Sequence, residues 1–434
     1  MKDKVFELIN KEEIRQSETL VMIASENYAS QDVREAVGSV FCNKYSEGYP
    51  GRRYYQGNKI IDEIESLAIE RAKKLFKVPY VNVQPYSGSP ANSEVFFALL
   101  EPGDTVMGLD LSAGGHLTHG KPKITFSGKY FNSVQFGLDE KGLLNYYRIE
   151  RLVKKEKPKL IIAGTTSYPL TFNWKKFAKI ADSVGAYLIA DISHIVGLII
   201  ASVYPSPFSY AHVVTTTTHK TLRGPRGAII MVTNKGLKKD PELSAKIDKA
   251  VFPGMQGGPH NNTTAGIAIA LEEASKPEFR KYGKQVVKNA KTFANELIKG
   301  GLTLVCNGTE SHLLVIDLRK QELSGNVVAE ALEVAGIITN KNTVPNDSMP
   351  PFYPSGVRLG TSALTTRGMK EKEMKVVSTW ILDIVDDVKS YKLPEKKEVR
   401  NNFIRAYREK IANDKFLLKI AGEVKKLCER FPVP

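Results

Sequence analysis

Four short apolar runs crowd the middle of the chain: LIIAG at 160–164, AYLIAD at 186–191, HVVTTTT at 212–218 and AIIMVT at 228–233. Each is too short for a helix and rich in Ile, Val or Thr, so each reads as a strand buried on both faces. Helix-like segments surround them. Ile61, Ile64, Ala68, Ala72 and Leu75 recur at helical spacing ahead of a strand at 81–83, and residues 174–184 read as a helix closed by Gly185. Glu101-Pro102-Gly103-Asp104 breaks the chain before the strand TVMGLD. Short apolar strands alternating with helices require a mostly parallel sheet covered on both faces, an α/β fold. After a helix over 263–275 the pattern changes to a long polar helix over 277–299, a strand HLLVIDL, a helix over 326–335, a strand VRLG and terminal helices rich in Lys and Glu. That is a smaller α+β domain. The expected organisation is an arm over 1–40, a large domain over 41–276 and a small C-terminal domain over 277–434.

Ligands of open parallel sheets bind beyond the strand ends, and two reactive residues stand there. Lys220 ends the run TTTTHK and is followed by the glycine-rich LRGPRG. A lysine so placed suits a Schiff base with pyridoxal phosphate (PLP). Asp191 ends the strand AYLIAD and could pair the cofactor's pyridine nitrogen, since a buried carboxylate needs a cationic partner to keep its charge. His194, three residues on, could lie against the ring. For the phosphate, VNVQPYSGSPANSEVFFALL reads as a strand, a loop Ser87-Gly88-Ser89, Pro90 at the first helical position, and an apolar helix whose N-terminus offers free N–H groups. Taken singly, each has a plainer reading: Asp191 as a turn or cap, His194 as a core histidine, Ser-Gly-Ser as a loop. In one chain they make a three-part cofactor site. The histidines of GGHLTHG, His116 and His119, have no accompanying cysteine or carboxylate cluster in sequence, which argues against a metal. The glycine clusters GYPG and PGMQGGP require close backbone approach or positive φ.

These segments resemble the serine hydroxymethyltransferase family. The resemblance runs through IASENYAS (23–30), NKYSEGYPGRRYYQG (43–57), VQPYSGSPAN (83–92), GGHLTHG (114–120), DISHIVGL (191–198), VVTTTTHKTLRGPRG (213–227), VFPGMQGGP (251–259), VPND (344–347) and SGVRLGT (355–361). It implies a PLP-dependent, aminotransferase-like fold (fold type I). The implied reaction moves the hydroxymethyl group of L-serine to tetrahydrofolate, giving glycine and 5,10-methylenetetrahydrofolate.

Residue by residue, the resemblance implies that Lys220 carries PLP, Asp191 pairs its nitrogen, and His116 and His194 flank its ring. Ser87, Gly88 and Ser89 would bind the phosphate, with Thr166, His219 and Arg226 as further cofactor neighbours and Thr217 beside the catalytic lysine. Active sites shared between two subunits would take Tyr45, Glu47, Tyr55, Gly257 and Gly258 from the neighbour, with Glu47 managing the proton at the serine hydroxyl and the folate. Ser25 and Arg358 would hold the amino acid carboxylate, the arginine as a bidentate fork. Leu111, Gly115, Leu117 and Asn342 would contact the pterin. Tyr86, Thr166 and Met255 stand where histidine, serine and glycine are usual, which bears on rate and affinity rather than reaction type.

The remaining composition bounds the reading. The net charge is +15, and residues 391–434 hold 12 Lys and Arg against 6 Asp and Glu on what reads as an amphipathic helical tail. Without a nucleic-acid motif this surplus reads as solvated surface that would also attract PLP phosphate and polyglutamylated folates. Cys42, Cys306 and Cys428 lie far apart without a CxxC, suiting a reducing cytoplasm. The start MKDKVFELINKEEIRQ lacks an apolar core, so no secretory signal or membrane association is expected. Two alternatives stay open: a folate-independent aldolase of the same fold acting on threonine-like β-hydroxy amino acids, and an RNA-binding protein on a PLP-enzyme fold. A homodimer, or a tetramer of such dimers, is expected.

Overall fold

The computed structural model describes residues 3–434. Contacts divide it into two units, Ala29–Lys284 and the segment through Tyr28 joined to Gln285–Pro434, where the sequence had set limits at 40 and 276.

The first unit is built on a seven-stranded sheet. In chain order its strands are β1 (Tyr80–Asn82), β2 (Thr105–Leu109), β3 (Asn132–Phe136), β4 (Leu160–Gly164), β5 (Tyr187–Asp191), β6 (Val213–Thr217) and β7 (Ala228–Val232), arranged β1-β7-β6-β5-β4-β2-β3. All pairs from β3 across to β6 are parallel, and β7 runs antiparallel to both β6 and β1. Every residue of β4, β6 and β7 is buried, as their unbroken apolar or threonine runs require. The register sets Gly164 beside Asp191 and Asp191 beside Thr215, so the ends of β4 and β5 stand level while β6 runs two residues further. Helix Gly88–Leu99 packs Val95, Phe96 and Leu99 into the same core as Ile162, Ile189 and Ile230.

That helix begins two residues earlier than the sequence suggested. Ser87 is its N-cap and Pro90 falls at the third helical position, which costs nothing because the first-turn N–H groups have no helical acceptor anyway. Among the described residues, no helix is long and apolar enough to cross a membrane.

The second unit carries an antiparallel sheet of β8 (Thr303–Leu304), β9 (Leu313–Asp317), β10 (Asn340–Asn342) and β11 (Gly356–Gly360), in the order β8-β9-β11-β10. Its core joins Phe293 and Leu297 to Ile316, Leu359, Ile381 and Ile420. Leu20–Val21 pairs in parallel with Ile337–Ile338, so the chain start is woven into this unit. Arg367, 5% exposed, fastens it further. Its guanidinium donates to the carbonyls of Thr19 (2.8 Å) and Ser17 (3.0 Å) at the end of one helix, and Cys428 (3.0 Å) and Phe431 (2.5 Å) at the end of another.

Candidate active site

Asp191 is the centre of the first unit's site. It ends β5, and its carboxylate collects three donors: Ser193 N–H on Oδ1 (3.0 Å), and Asn92 Nδ2 (2.9 Å) and His119 Nε2 (3.0 Å) on Oδ2. Burial alone would raise its proton affinity. The His119 hydrogen bond, the pull of the His119 and His116 imidazoles and the Ser193 side chain outweigh that and hold the carboxyl far below the usual carboxylate range. Gly164 makes room for this. A Cβ there would lie 2.6 Å from the Asp191 carbonyl and 3.1 Å from His119 Cε1.

The two histidines are wired in a fixed sense. His116 N–H donates to His119 Nδ1 (3.2 Å), leaving the His119 proton on Nε2, where it faces Asp191. Asn92 Nδ2 donates to Thr118 Oγ1 (2.9 Å), so the Thr118 hydroxyl proton turns to His116 Nδ1 (2.7 Å). Burial, His119 and Lys220 push His116 down to about 4, against the pull of Asp191, so the ring is neutral near pH 7 and carries its proton on Nε2.

Lys220 lies three residues beyond β6 in a tight turn. Thr218 N–H donates to Gly227 O (3.1 Å), Gly224 N–H to Thr218 O (2.7 Å), and Arg223 lies over the rings of Tyr282 (4.5 Å) and Phe279 (5.3 Å). Next to it, Thr221 Oγ1 donates to the carbonyl of buried His194 (3.1 Å) and accepts Gly197 N–H (3.0 Å). The lysine turn and the segment after Asp191 are thus locked together. Thr217 N–H donates to Ser193 Oγ (3.1 Å) and its own hydroxyl to Ser193 O (3.4 Å). His219 is pushed down to about 3 by burial and the neighbouring Lys220 and Arg226 charges, whereas the Arg226 side chain belongs to an exposed residue.

The Ser87-Gly88-Ser89 turn lies against β6: a Cβ on Gly88 would sit 2.6 Å from Thr217 Cγ2. Ser87 gives its helix no side-chain cap, which leaves the first-turn N–H groups for an anion. Thr166 Oγ1 donates to Gly115 O (2.9 Å), joining the segment after β4 to the 111–117 loop that carries Leu111, Gly115 and Leu117. Leu117 is exposed there, and Gly115 is obligatory because a Cβ would fall 1.9 Å from Leu109 O.

Tyr45, Glu47, Tyr55, Gly257 and Gly258 form a separate group. Tyr45 Oη approaches Glu47 Oε1 (3.4 Å), the Tyr45 and Tyr55 rings meet edge-on at 5.1 Å, and Gly257 and Gly258 lie against Glu47 and Tyr45, at 3.1 and 3.3 Å from a would-be Cβ. Close approach, not positive φ, explains these two glycines, since neither has a positive φ. In the other unit, Arg358 projects from β11 with Nε donating to Asn340 Oδ1 (3.0 Å), lowered to about 10 by burial against the pull of Glu26. The segment holding Ser25 is bound alongside through Gly360 N–H to Met22 O (2.7 Å), and Asn342 ends β10, its side chain donating to Thr343 O (2.7 Å).

Comparison with known proteins bears directly on this geometry. The family profile described as serine hydroxymethyltransferase matches residues 1–381. The chain belongs to the serine hydroxymethyltransferase family. It is 51% identical over 431 residues to the serine hydroxymethyltransferase of Desulfotalea psychrophila, covering 99% of this chain and 94% of that one. It is 49% identical over 431 residues to that of Acidothermus cellulolyticus, covering 99% and 95%. A probable serine hydroxymethyltransferase of Mesomycoplasma hyopneumoniae (strain 7448) is 52% identical over 398 residues, 92% of this chain and 93% of the relative. The family's fold is the fold type I of PLP enzymes, and the sheet described above conforms to it.

The residues fit the family's PLP. An acceptor-only carboxylate at a strand end suits a protonated pyridine nitrogen, and an uncapped helix start with a side-chain-free Gly88 suits a phosphate. Sequence reasoning did not assign Asn92, Thr118, His119 or Ser193. Their signal was weak: His119 showed only as the second histidine of GGHLTHG, and Asn92 as an early residue of an apolar helix.

Proposed function

We propose that this chain, as a serine hydroxymethyltransferase, transfers the hydroxymethyl group of L-serine to tetrahydrofolate, with glycine and 5,10-methylenetetrahydrofolate as products and PLP as cofactor. The observation that carries the site assignment is the Asp191 carboxylate, held ionised by three donors at the end of β5, beside the strand β6 that leads into the Lys220 turn.

In this reading Lys220 attaches the cofactor, Ser87, Gly88 and Ser89 hold its phosphate, and Asp191 keeps its ring nitrogen protonated. His116 and His194 line the ring, while Thr166, Thr217, His219 and Arg226 shape the surroundings. When bound, PLP supplies an electron sink for the charge left on Cα as the Cα–Cβ bond of serine breaks. Arg358 and Ser25 bind the substrate carboxylate, and the arginine's low, burial-depressed proton affinity still leaves it charged at neutral pH. Glu47 takes the proton from the serine hydroxyl, with Tyr45 and Tyr55 at its side. Leu111, Gly115, Leu117 and Asn342 face the pterin.

The reading includes a cytoplasmic homodimer, or a tetramer of such dimers, in which Tyr45, Glu47, Tyr55, Gly257 and Gly258 serve the neighbouring subunit's site. It also keeps residues 1–40 as an arm, 41–276 as the cofactor domain and 277–434 as the small domain. The PLP residues alone would serve a threonine-type aldolase equally well; the family match supports transfer to folate. Glycine formation from serine, measured with and without added tetrahydrofolate, tests it. A rate that rises steeply with tetrahydrofolate is expected. Equal rates, with faster cleavage of threonine-like substrates, would overturn it.

A further inference from the structure

Glu47 sits at the start of a hairpin in which Gly48–Tyr49 pairs with Arg52–Arg53. Two-residue strands cannot fix a carboxylate by their own ladder, and Tyr54 and Tyr55 beyond them are exposed. The order comes from beneath. The Arg53 side chain is 3% exposed, and every nitrogen of its fork is engaged. Nη1 donates to the carbonyls of Ser46 (2.8 Å) and Gly48 (2.7 Å), the two residues that flank Glu47. Nε donates to Asp62 Oδ1 (2.8 Å) and Nη2 to Glu65 Oε2 (2.6 Å), both on helix Lys59–Phe76.

Gln84, 3% exposed, completes the support just after β1. Its Nε2 donates to Glu65 Oε1 (2.8 Å) and again to Gly48 O (3.0 Å). The Gln84 carbonyl accepts Gln256 Nε2 (3.0 Å), and Gln256 Oε1 accepts Tyr86 N–H (2.9 Å). One residue thus underpins the Glu47 hairpin, the segment leading to Gly257 and the approach to Ser87. The amide is buried although its Oε1 has no hydrogen-bond partner. An unpartnered buried acceptor is unfavourable, so this position demands the two donors. On the far side of Glu47, Ser46 Oγ donates to Asn261 Oδ1 (2.7 Å) and Asn261 Nδ2 to Lys44 O (2.6 Å).

We propose that Arg53 and Gln84 are positioning residues of the hydroxymethyl transfer, acting through Glu47 by fixing the carbonyls on either side of it. The inference rests on the reading of Glu47 as the proton-handling group. A double-mutant cycle in the PLP-loaded enzyme tests it, using Arg53→Lys and Gln84→Met, each alone and combined with Glu47→Gln. For each variant kcat, KM for serine, bound PLP and melting temperature are measured.

Because misplacing a reacting group by about 1 Å can cost about 100-fold, Arg53→Lys should lower kcat at least tenfold, with Gln84→Met weaker in the same sense. KM for serine and PLP content should change less than about threefold, since uniform binding is untouched. Added to Glu47→Gln, either substitution should lower kcat by less than about twofold, because the group it positions is already gone. Equal fold losses in both backgrounds would overturn the inference and leave Glu47 standing, as would wild-type kcat in both single variants. A Glu47→Gln protein with wild-type kcat would instead sink the reading of Glu47, and the inference with it. Should Arg53→Lys fail to fold, the Gln84→Met arm decides by the same criterion.

Discussion

Replacing Glu94 by glutamine should stabilise the protein increasingly as pH rises above 5. Glu94 lies on helix Gly88–Leu99, one turn beyond the Ser87-Gly88-Ser89 loop, with no exposed surface and no hydrogen-bond partner on either carboxylate oxygen. Burial pushes its carboxyl up from 4.5 to about 8. The sign follows from proton counting. Between those two values the folded chain holds a proton that the unfolded chain has lost, so stability falls as pH rises, and the fall levels off above about 8. Each pH unit in that window removes about 1.36 kcal/mol, so the cumulative loss is on the order of 3–5 kcal/mol. Glutamine has nothing to titrate there. Any cost of burying its amide is the same at every pH, so only the slope distinguishes the two proteins.

Denaturant unfolding of holoenzyme and Glu94→Gln at pH 5, 7 and 8.5 measures this, at fixed protein and PLP concentrations because both ligand and assembly shift apparent stability. The gap in unfolding free energy should widen toward alkaline pH by several kcal/mol. A gap that stays constant within about 0.5 kcal/mol, the usual limit of additivity, would refute the assignment of an unpaired, proton-holding Glu94.

Arg367→Met should destabilise the unit holding Gln285–Pro434 by about 6 kcal/mol, since hydrogen bonds to a charged donor contribute at least about 1.5 kcal/mol each and the carbonyls of Thr19, Ser17, Cys428 and Phe431 all lose theirs. Urea unfolding checks it, and a loss under about 1 kcal/mol would show that those helix ends need no cap. Mixing Lys220→Gln with Glu47→Gln, each severely impaired alone, under subunit exchange should restore about a quarter of wild-type activity, because half of randomly paired dimers are mixed and each has one intact site of two. Continued inactivity, with exchange confirmed by mass-tagged subunits, would place both residues in one chain's site.

The central strands were legible because they have no polar face to obscure: LIIAG is Leu160–Gly164 residue for residue, and the strand before Asp191 ends on it. The HVVTTTT run was read one residue too long at each end, as the strand starts at Val213 and Thr218 already turns off the sheet to meet Pro225 and Gly227. The role of the chain start was not legible. A two-residue strand, Leu20–Val21, has no periodicity to detect, and its partner Ile337–Ile338 lies more than 300 residues away. The site's main members were visible because they sit at strand ends or in unusual local strings. Their supports were not. Asn92 looks like any early helix residue, and Arg53 like one half of an exposed basic pair; only tertiary placement turns each inward.

The direction of every hydrogen bond around Asp191 follows from fixed donors. Thr215 Oγ1 donates to Asn92 Oδ1 (2.7 Å), so the Asn92 amide must present its Nδ2 to the carboxylate. A backbone N–H occupies His119 Nδ1, so that ring presents Nε2–H, and the third contact is the Ser193 N–H. A protonated Asp191 would need an acceptor among these neighbours, and all three are donors. The cluster therefore excludes the acid form by hydrogen-bond direction as well as by charge. Any nitrogen that pairs with this carboxylate has to bring the proton itself, which is the condition a pyridine ring must meet to store charge from a substrate carbon.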